Sequence, residues 1–379
     1  MDPLSSSILP ASVLPGGVRA RVLAGINGLD VHVLEAGHEQ PGRPAVLLLH
    51  GFPEMAYSWR KVLPALATAG YHAIAPDQRG YGRTTGWDGR YDGDLASYRF
   101  LNLVRDAMGV VAALGHRSVE AVVGHDFGVT VAAYGALARP DFFKRMVLMS
   151  GPFAGPPPLE AARPGRGPDI HAALAALPRP RKHYQWYYST REANEHMWKA
   201  PQGVHAFLRA YFHHKSADWT ANKPIPLKGW TAEELAKMPT YYIMDLADDM
   251  PATVAKEMPS PTEIADNKWL TEDELAVYSR EYERTGFQGG LQWYRVRTGG
   301  RFNGELEVFA GRTVDVPSAF ISGRNDWGVH QNPGALDKMQ KTACTKMKDV
   351  HLVEGAGHWV QQEQADEVNR LLLQFLKST

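Results

Sequence analysis

The order of apolar and amphipathic segments predicts an α/β fold: a mostly parallel central sheet with helices on both faces, interrupted by an inserted helical segment. Three observations carry this. Short, nearly continuous apolar runs occur at residues 45–51 (AVLLLHG), 71–76 (YHAIAP), 119–124 (VEAVVG) and 145–150 (RMVLMS). Each has the length and character of a strand covered on both faces. Amphipathic stretches, FLNLVRDAMGVVAALG and GVTVAAYGALARP, lie between the runs, as helical crossovers between parallel strands require. The alternation stops after Ser150 and returns only at residues 316–323 and 349–357.

Taken in order, residues 1–17 are rich in Ser and Pro and read as a flexible N-terminal arm. RARVLAG and LDVHVLEAG then open the sheet. The core domain is expected over residues 18–151 and 311–379, ending in the amphipathic run VNRLLLQFL. GPFAGPPP marks the break into a helical cap domain over residues 152–310, which gains Trp186, Trp198, Trp219, Trp230, Trp269 and Trp293. Thr231 with Glu234, and Thr271 with Glu274, have capping-box spacing. The second box predicts a helix over Glu272–Thr285 that stops at Gly286. The stretch 237–266 makes this insertion long and has no assigned role.

Composition narrows the function. Lys plus Arg equals Asp plus Glu at 41 each, which gives no global attraction to nucleic acid or to an anionic membrane. Cys344 has no partner cysteine, so neither a disulfide nor a cysteine metal site is expected, and it reads as structural. The N-terminal residues lack the basic start and apolar run of a secretory signal. No stretch approaches the ~20 apolar residues of a membrane helix. A cytoplasmic protein without cofactor or metal, acting as monomer or homodimer on a small molecule, is the expectation.

The chemistry-bearing motif is Gly124-His125-Asp126-Phe127-Gly128, a G-x-D-x-G turn between a strand and a helix. It matches the nucleophile elbow G-x-S-x-G with Asp in the Ser position. A lone Asp before a helix is more often a cap, but capping does not explain glycines on both sides. A carboxylate is a poor attacker of amides. It can displace a leaving group at saturated carbon, forming an alkyl ester that water must hydrolyse. The histidine of such a site therefore activates water, and its acid partner orients it.

Both partners follow in the order the elbow architecture uses. Asp326 stands past the strand ending ISG, and His358 past the strand ending GAG. Asp77 follows a strand but reads as loop, and Asp245, Asp248 and Asp249 as a solvated run. His50-Gly51-Phe52-Pro53-Glu54 supplies the second loop of the site. The backbone N–H groups of Phe52 and Phe127 are the expected oxyanion-hole donors, and His50 reads as a satisfied core histidine.

HGFPE, APDQRGYGRT, GHDFG and GHW, at these spacings, resemble the soluble epoxide hydrolases of the α/β-hydrolase fold, from about Arg19 onward. That resemblance implies an epoxide and water as substrates and two cap tyrosines that protonate the epoxide oxygen. GFQGGLQWYR places the second at Tyr294. HYQWYY places the first at Tyr184, with Tyr187 and Tyr188 close enough to compete. An aromatic cap suggests an apolar epoxide, with Trp186, Trp293, Trp359, Phe52 and Phe127 as its wall. Phe127 departs from the family's frequent Trp. A haloalkane or haloacid dehalogenase shares the aspartate nucleophile, but neither Phe52 nor Phe127 has a side-chain donor for a halide or carboxylate. A non-catalytic binding protein on the same scaffold would have lost a triad member, and none is missing.

Overall fold

A computed structural model describes residues 7–160 and 169–379. Eight strands form the main sheet: β1 (Val18–Ile26), β2 (Leu29–Ala36), β3 (Ala45–Leu49), β4 (His72–Pro76), β5 (Ala121–His125), β6 (Met146–Met149), and, after the insertion, β9 (Ser318–Gly323) and β10 (Met347–Val353). Their spatial order is β1-β2-β4-β3-β5-β6-β9-β10. β2 runs antiparallel to both neighbours, and every pairing from β4 to β10 is parallel. The strands expected from the apolar runs are present within a few residues of their predicted ends. β3 to β6 and β9 are buried along their whole length, which is why they read as continuous apolar runs.

The helices that matter for the site are α1 (Phe100–Ala113), α2 (Gly128–Ala138), α3 (Tyr184–Tyr187), α4 (Gly203–Lys215), α5 (Glu272–Thr285), α6 (Gln288–Gly299) and α7 (Ala365–Ser378). α2 is buried almost all round and so lacks an amphipathic stripe. α7 is strongly amphipathic and lays Val368, Leu371, Leu372 and Phe375 on the core. α5 has the predicted bounds. Thr271 and Glu274 form a complete capping box, and Gly286 ends the helix at φ 65°. At Thr231 only half of the expected box forms, because Glu234 accepts instead from the Lys228 N–H.

Two expectations change. Residues 1–6 of the predicted flexible arm lie outside the described residues, but 7–17 are held. Leu9 is buried, its N–H donates to His32 Nε2, Arg83 donates to the Ile8 carbonyl, and Ala11–Val13 is a short 3-10 helix. One apolar side chain in a Ser/Pro-rich stretch suffices to anchor it, and composition averages that signal away. The insertion is also not purely helical. β7 (Arg181–His183) and β8 (Ile243–Asp245) pair as a two-stranded antiparallel sheet outside the main one. Asp245 sits in it, bonded to Arg179 and Lys256, and Asp249 caps the helix Met250–Ala255, so these acids are structured and not a solvated run.

Among the described residues no helix is long and apolar enough to cross a membrane, and no His/Cys/Asp/Glu group could hold a metal ion. Cys344 is buried and free, and burial pushes its thiol up to about 12.

Candidate active site

The parallel strands all point their C-terminal ends to one edge of the sheet, where the chain leaves them in loops. β5 ends at His125, and Asp126 follows with φ 51°, a left-handed conformation unusual for a residue with a side chain. α2 then begins at Gly128. A Cβ on Gly124 would collide with the backbone of Gly128, and one on Gly128 with the backbone of Leu49. The two glycines thus let helix, strand and neighbouring strand close around the turn. The strain lifts the Asp126 carboxylate above the sheet.

Its two oxygens have separate partners. Oδ1 accepts from the Phe52 N–H at 3.0 Å, on the loop after β3. Oδ2 lies 3.5 Å from His358 Nε2, and that nitrogen has no hydrogen-bond partner among the described residues. The Phe127 N–H, the other expected donor, makes no hydrogen bond to the carboxylate. It stands at the first turn of α2, where helix N–H groups lack intrahelical acceptors. Burial raises the Asp126 pKa, but His358, Lys215 and His125 outweigh it and hold the carboxyl well below the usual carboxylate range.

Asp326, past β9, lies with Oδ1 3.2 Å from His358 Nδ1. Asp326 also accepts from Ser322 Oγ and from the Gly328 N–H. Burial opposes its charge, and His358, the Ser150 hydroxyl and the Gly328 N–H together hold its carboxyl below the usual carboxylate range. The three predicted residues Asp126, His358 and Asp326 are therefore together, with the two carboxylates at opposite nitrogens of one imidazole.

Four neighbours were not singled out from sequence. Ser150, at φ 75°, brings its hydroxyl to 2.9 Å from His358 Nδ1. Glu54 Oε2 lies 2.6 Å from His125 Nδ1, and His125 Nε2 lies 2.7 Å from the His358 carbonyl. A carboxylate and a carbonyl are both acceptors, so both His125 nitrogens must donate and the ring is an imidazolium. Burial lowers its pKa, but Glu54 reverses the balance and raises it. Glu54 Oε1 is filled by the side-chain amides of Gln361 and Gln362. The fourth is Lys215, at the end of α4, whose carbonyl accepts from the His358 N–H at 2.9 Å. Glu54 and His125 sit inside HGFPE and GHDFG, and their place beside the turn residues was an available signal. Ser150 and Lys215 had none.

His50 behaves as a core histidine. Nδ1 lies 2.9 Å from the Gly51 carbonyl, Nε2 accepts from the Gln78 N–H, and burial lowers its pKa. Asp77 is likewise occupied, bonded to His32 and to the N–H groups of Ala56 and Arg83, and buttresses the loops.

The insertion hangs aromatic rings over Asp126. The Tyr294 ring, on α6, meets Phe127 edge-on at 4.6 Å and Phe52 at 5.5 Å. Tyr184 opens α3 and lies 5.9 Å from Tyr294 ring to ring. Its hydroxyl accepts from Gln185 and donates to Gln331. Burial drives both phenols' pKa values up, with the Asp126 charge adding to it. Tyr187 is committed elsewhere, to His196 and the Met250 N–H. Tyr188 packs on Phe52 and Tyr294 but donates its hydroxyl to Tyr211.

Of the predicted wall, Phe52 and Phe127 flank the carboxylate. Trp293 stands behind Phe127, its indole N–H bound to the Arg79 carbonyl, and Trp359 stands against the His358 ring. Trp186 does not join them. It packs on His171 and His183, so its expected place in the wall is corrected. α3 has only four residues, and its neighbours in sequence face different ways round it.

An eight-stranded, mostly parallel sheet carrying a strained acid elbow, with acid and histidine on later strand ends, defines a class. Residues 44–365 match the family model of the alpha/beta hydrolase fold. Epoxide hydrolase A of Mycobacterium tuberculosis is 32% identical over 375 residues, covering 95% of this chain and 98% of the relative. An epoxide hydrolase of Caballeronia sordidicola is 30% identical, covering 97% and 96%. Among solved structures, an epoxide hydrolase from an endophytic Streptomyces superposes with a TM-score of 0.74 at 34% identity, covering 96% of each chain. The chain belongs to the α/β-hydrolase fold family, among its epoxide hydrolases. It is a hydrolase acting on the ether bond of epoxides.

Proposed function

We propose that this hydrolase converts an apolar epoxide to a vicinal diol through a covalent alkyl ester on Asp126, with residues 152–310 acting as the cap that supplies the acids. The observation that carries this reading is the division of the Asp126 carboxylate. One oxygen is held by the Phe52 N–H, and the other lies 3.5 Å from His358 Nε2, while the Tyr294 ring packs on Phe52 and Phe127 and the Tyr184 ring on Tyr294.

In the first step Oδ2 attacks a ring carbon, the C–O bond breaks, and the alkoxide takes a proton from Tyr294 or Tyr184. A phenol is a better proton donor to an alkoxide than water is. In the second, His358 Nε2 removes a proton from water, which attacks the ester carbonyl. Charge develops on Oδ1, where the Phe52 N–H already donates and the Phe127 N–H lies next in chain. Collapse expels the diol's alkoxide, which takes the proton from the imidazolium. The proton left on the Asp126 acid returns the tyrosinate to phenol. Epoxide plus water thus balances to diol with the enzyme unchanged. Asp326 holds the imidazole orientation throughout. Phe52 and Phe127, backed by Trp293, with Trp359 against the His358 ring, form an apolar wall suited to an apolar substituent.

The test separates the half-reactions. General-base assistance is typically worth ~10²–10⁴ in rate, so His358→Gln should open the ring and stall as the ester. Intact-mass measurement after mixing with styrene oxide should show one added substrate mass on the peptide containing Asp126. A bromoalkane adduct without an epoxide adduct would move the reading to a dehalogenase. No adduct with either, in protein shown to bind the probe, would remove the covalent mechanism.

A further inference from the structure

Lys215 is the last residue of α4 and is only 2% exposed. Among the described residues its ammonium has no hydrogen-bonded or ion-paired acceptor. It sits instead among four rings, 5.1 Å from the centroid of Tyr242, 5.2 Å from Trp359, 5.4 Å from Tyr211 and 5.8 Å from Tyr241. Such contacts offset only part of what burying an ammonium costs.

The charges around it supply a reason. Glu54 and Asp326 are buried, Asp126 is half-buried, and the partners of all three hold them ionised. His125 is the one imidazolium that the hydrogen bonds require. Three carboxylates against one fixed cation leave the cluster with an excess of negative charge, and the Lys215 ammonium reduces it. Once Asp126 is esterified, two carboxylates face two cations and the cluster is neutral. Water attack then creates an imidazolium and an oxyanion together, with no net charge to separate from the outset. Burial pushes the lysine's own pKa down, while Asp126, Asp326 and Glu54 oppose that.

We infer that Lys215 is a positioning residue of this site: a fixed buried cation that balances the three carboxylates and disfavours proton uptake by the Asp126–His358 pair, while its carbonyl anchors the His358 loop. The inference rests on the Asp126 reading above. The groups facing this pair are His125 and Asp326 from the sheet edge, Glu54 from the loop after β3, and Lys215 with Tyr211 from α4. Tyr184, Tyr242 and Tyr294 face it from the rest of the insertion, with Arg297 4.5 Å over the Phe127 ring, and Glu363, its carboxyl pushed by burial up to about 8, accepts from the Gly357 and Trp359 N–H groups on either side of His358. The phenols stay neutral because burial raises every one of them. Of these groups Lys215 and His125 are the cations that, after His358, lower the Asp126 carboxyl most.

The experiment is the pH dependence of kcat and kcat/KM on styrene oxide for wild type, Lys215→Met and Lys215→Arg, with circular dichroism to establish folding. Two coupled groups titrate as a pair, and removing a nearby cation eases their protonation. The acid limb of Lys215→Met should therefore move to higher pH by about one unit, a roughly tenfold loss of rate on that limb. KM for the neutral epoxide should change little. Lys215→Arg keeps the charge and should keep the wild-type limb even if its rate falls from crowding. If Met does not fold, Gln provides the uncharged comparison. An unmoved limb in Met or Gln overturns the inference, as does an Arg variant that shifts as far as Met. The limb reports proton uptake by the pair whether or not an ester forms. A missing adduct in His358→Gln therefore counts against the ester alone.

Discussion

At the residue scale, the site works because each side chain is denied its easiest alternative. Burial alone would raise the Asp126 carboxyl, and His358, Lys215 and His125 reverse that. Burial keeps Tyr184 and Tyr294 as phenols, and in the proposed mechanism they give a proton when an alkoxide forms beside them. Changing both to Phe should slow ring opening by orders of magnitude while leaving hydrolysis of a preformed ester nearly unchanged. Rapid-quench mass measurement of ester formation and decay reads the two rates, and an unchanged formation rate would clear both hydroxyls of the role. Glu35 makes a separate, structural point. Burial alone would raise its carboxyl, but His72 and Arg19 lower it from 4.5 to about 2. A carboxyl depressed in the folded state stabilises above its unfolded pKa and loses that contribution as pH falls through the folded one. Wild type should therefore lose stability between pH about 4.5 and about 2, and Glu35→Gln should show a shallower fall in urea midpoints over that window.

At the scale of elements, α5 shows how one residue can serve two structures. Glu274 Oε2 accepts from the Thr271 N–H to close the capping box, and Oε1 accepts from Arg60 Nε at 2.7 Å. Arg60 is buried and lies between β3 and β4 of the main sheet, so the same carboxylate caps a helix of the insertion and ties it down. Thr271→Ala should cost about 1 kcal/mol, the usual value of a cap. Glu274→Ala should cost more, because it also leaves a buried guanidinium without its carboxylate. Chemical denaturation of the two variants orders them, and equal costs would show the tether to be idle. β7 and β8 matter for a different reason. β8 belongs to the stretch 237–266, and the Tyr242 carbonyl just before it accepts from the Tyr184 N–H at 2.9 Å. That long piece thus frames the backbone that carries Tyr184.

At the scale of the whole molecule, insertion and sheet are joined by buried polar contacts. Arg83 pairs with Glu281, the Trp293 indole with the Arg79 carbonyl, and the His358 N–H with the Lys215 carbonyl. These cross the boundary between the two parts of the chain at positions that also hold the site. Unfolding should therefore be one cooperative transition. Far-UV circular dichroism, which follows the sheet and helices, and tryptophan fluorescence, weighted to the insertion, should give coincident urea curves. Separate midpoints would mean that the insertion melts on its own.

The linear chain determined what depends on local pattern. The strands buried on both faces were visible as apolar runs, α5 through its capping box and terminal glycine, and the elbow through Gly124, Asp126 and Gly128. Asp326 and His358 were legible because strand ends in this fold deliver residues to one edge in a known order. Only the tertiary structure decided what depends on through-space neighbours. Trp186 and Tyr184 are two residues apart, yet one faces His171 and the other the site. Glu54 and His125 were in plain view, but that the ring must be charged follows only from the two acceptors around it. Lys215 carried no motif at all. A buried charge is set by a balance with distant charges, and no spacing along a chain encodes which carboxylates will meet it.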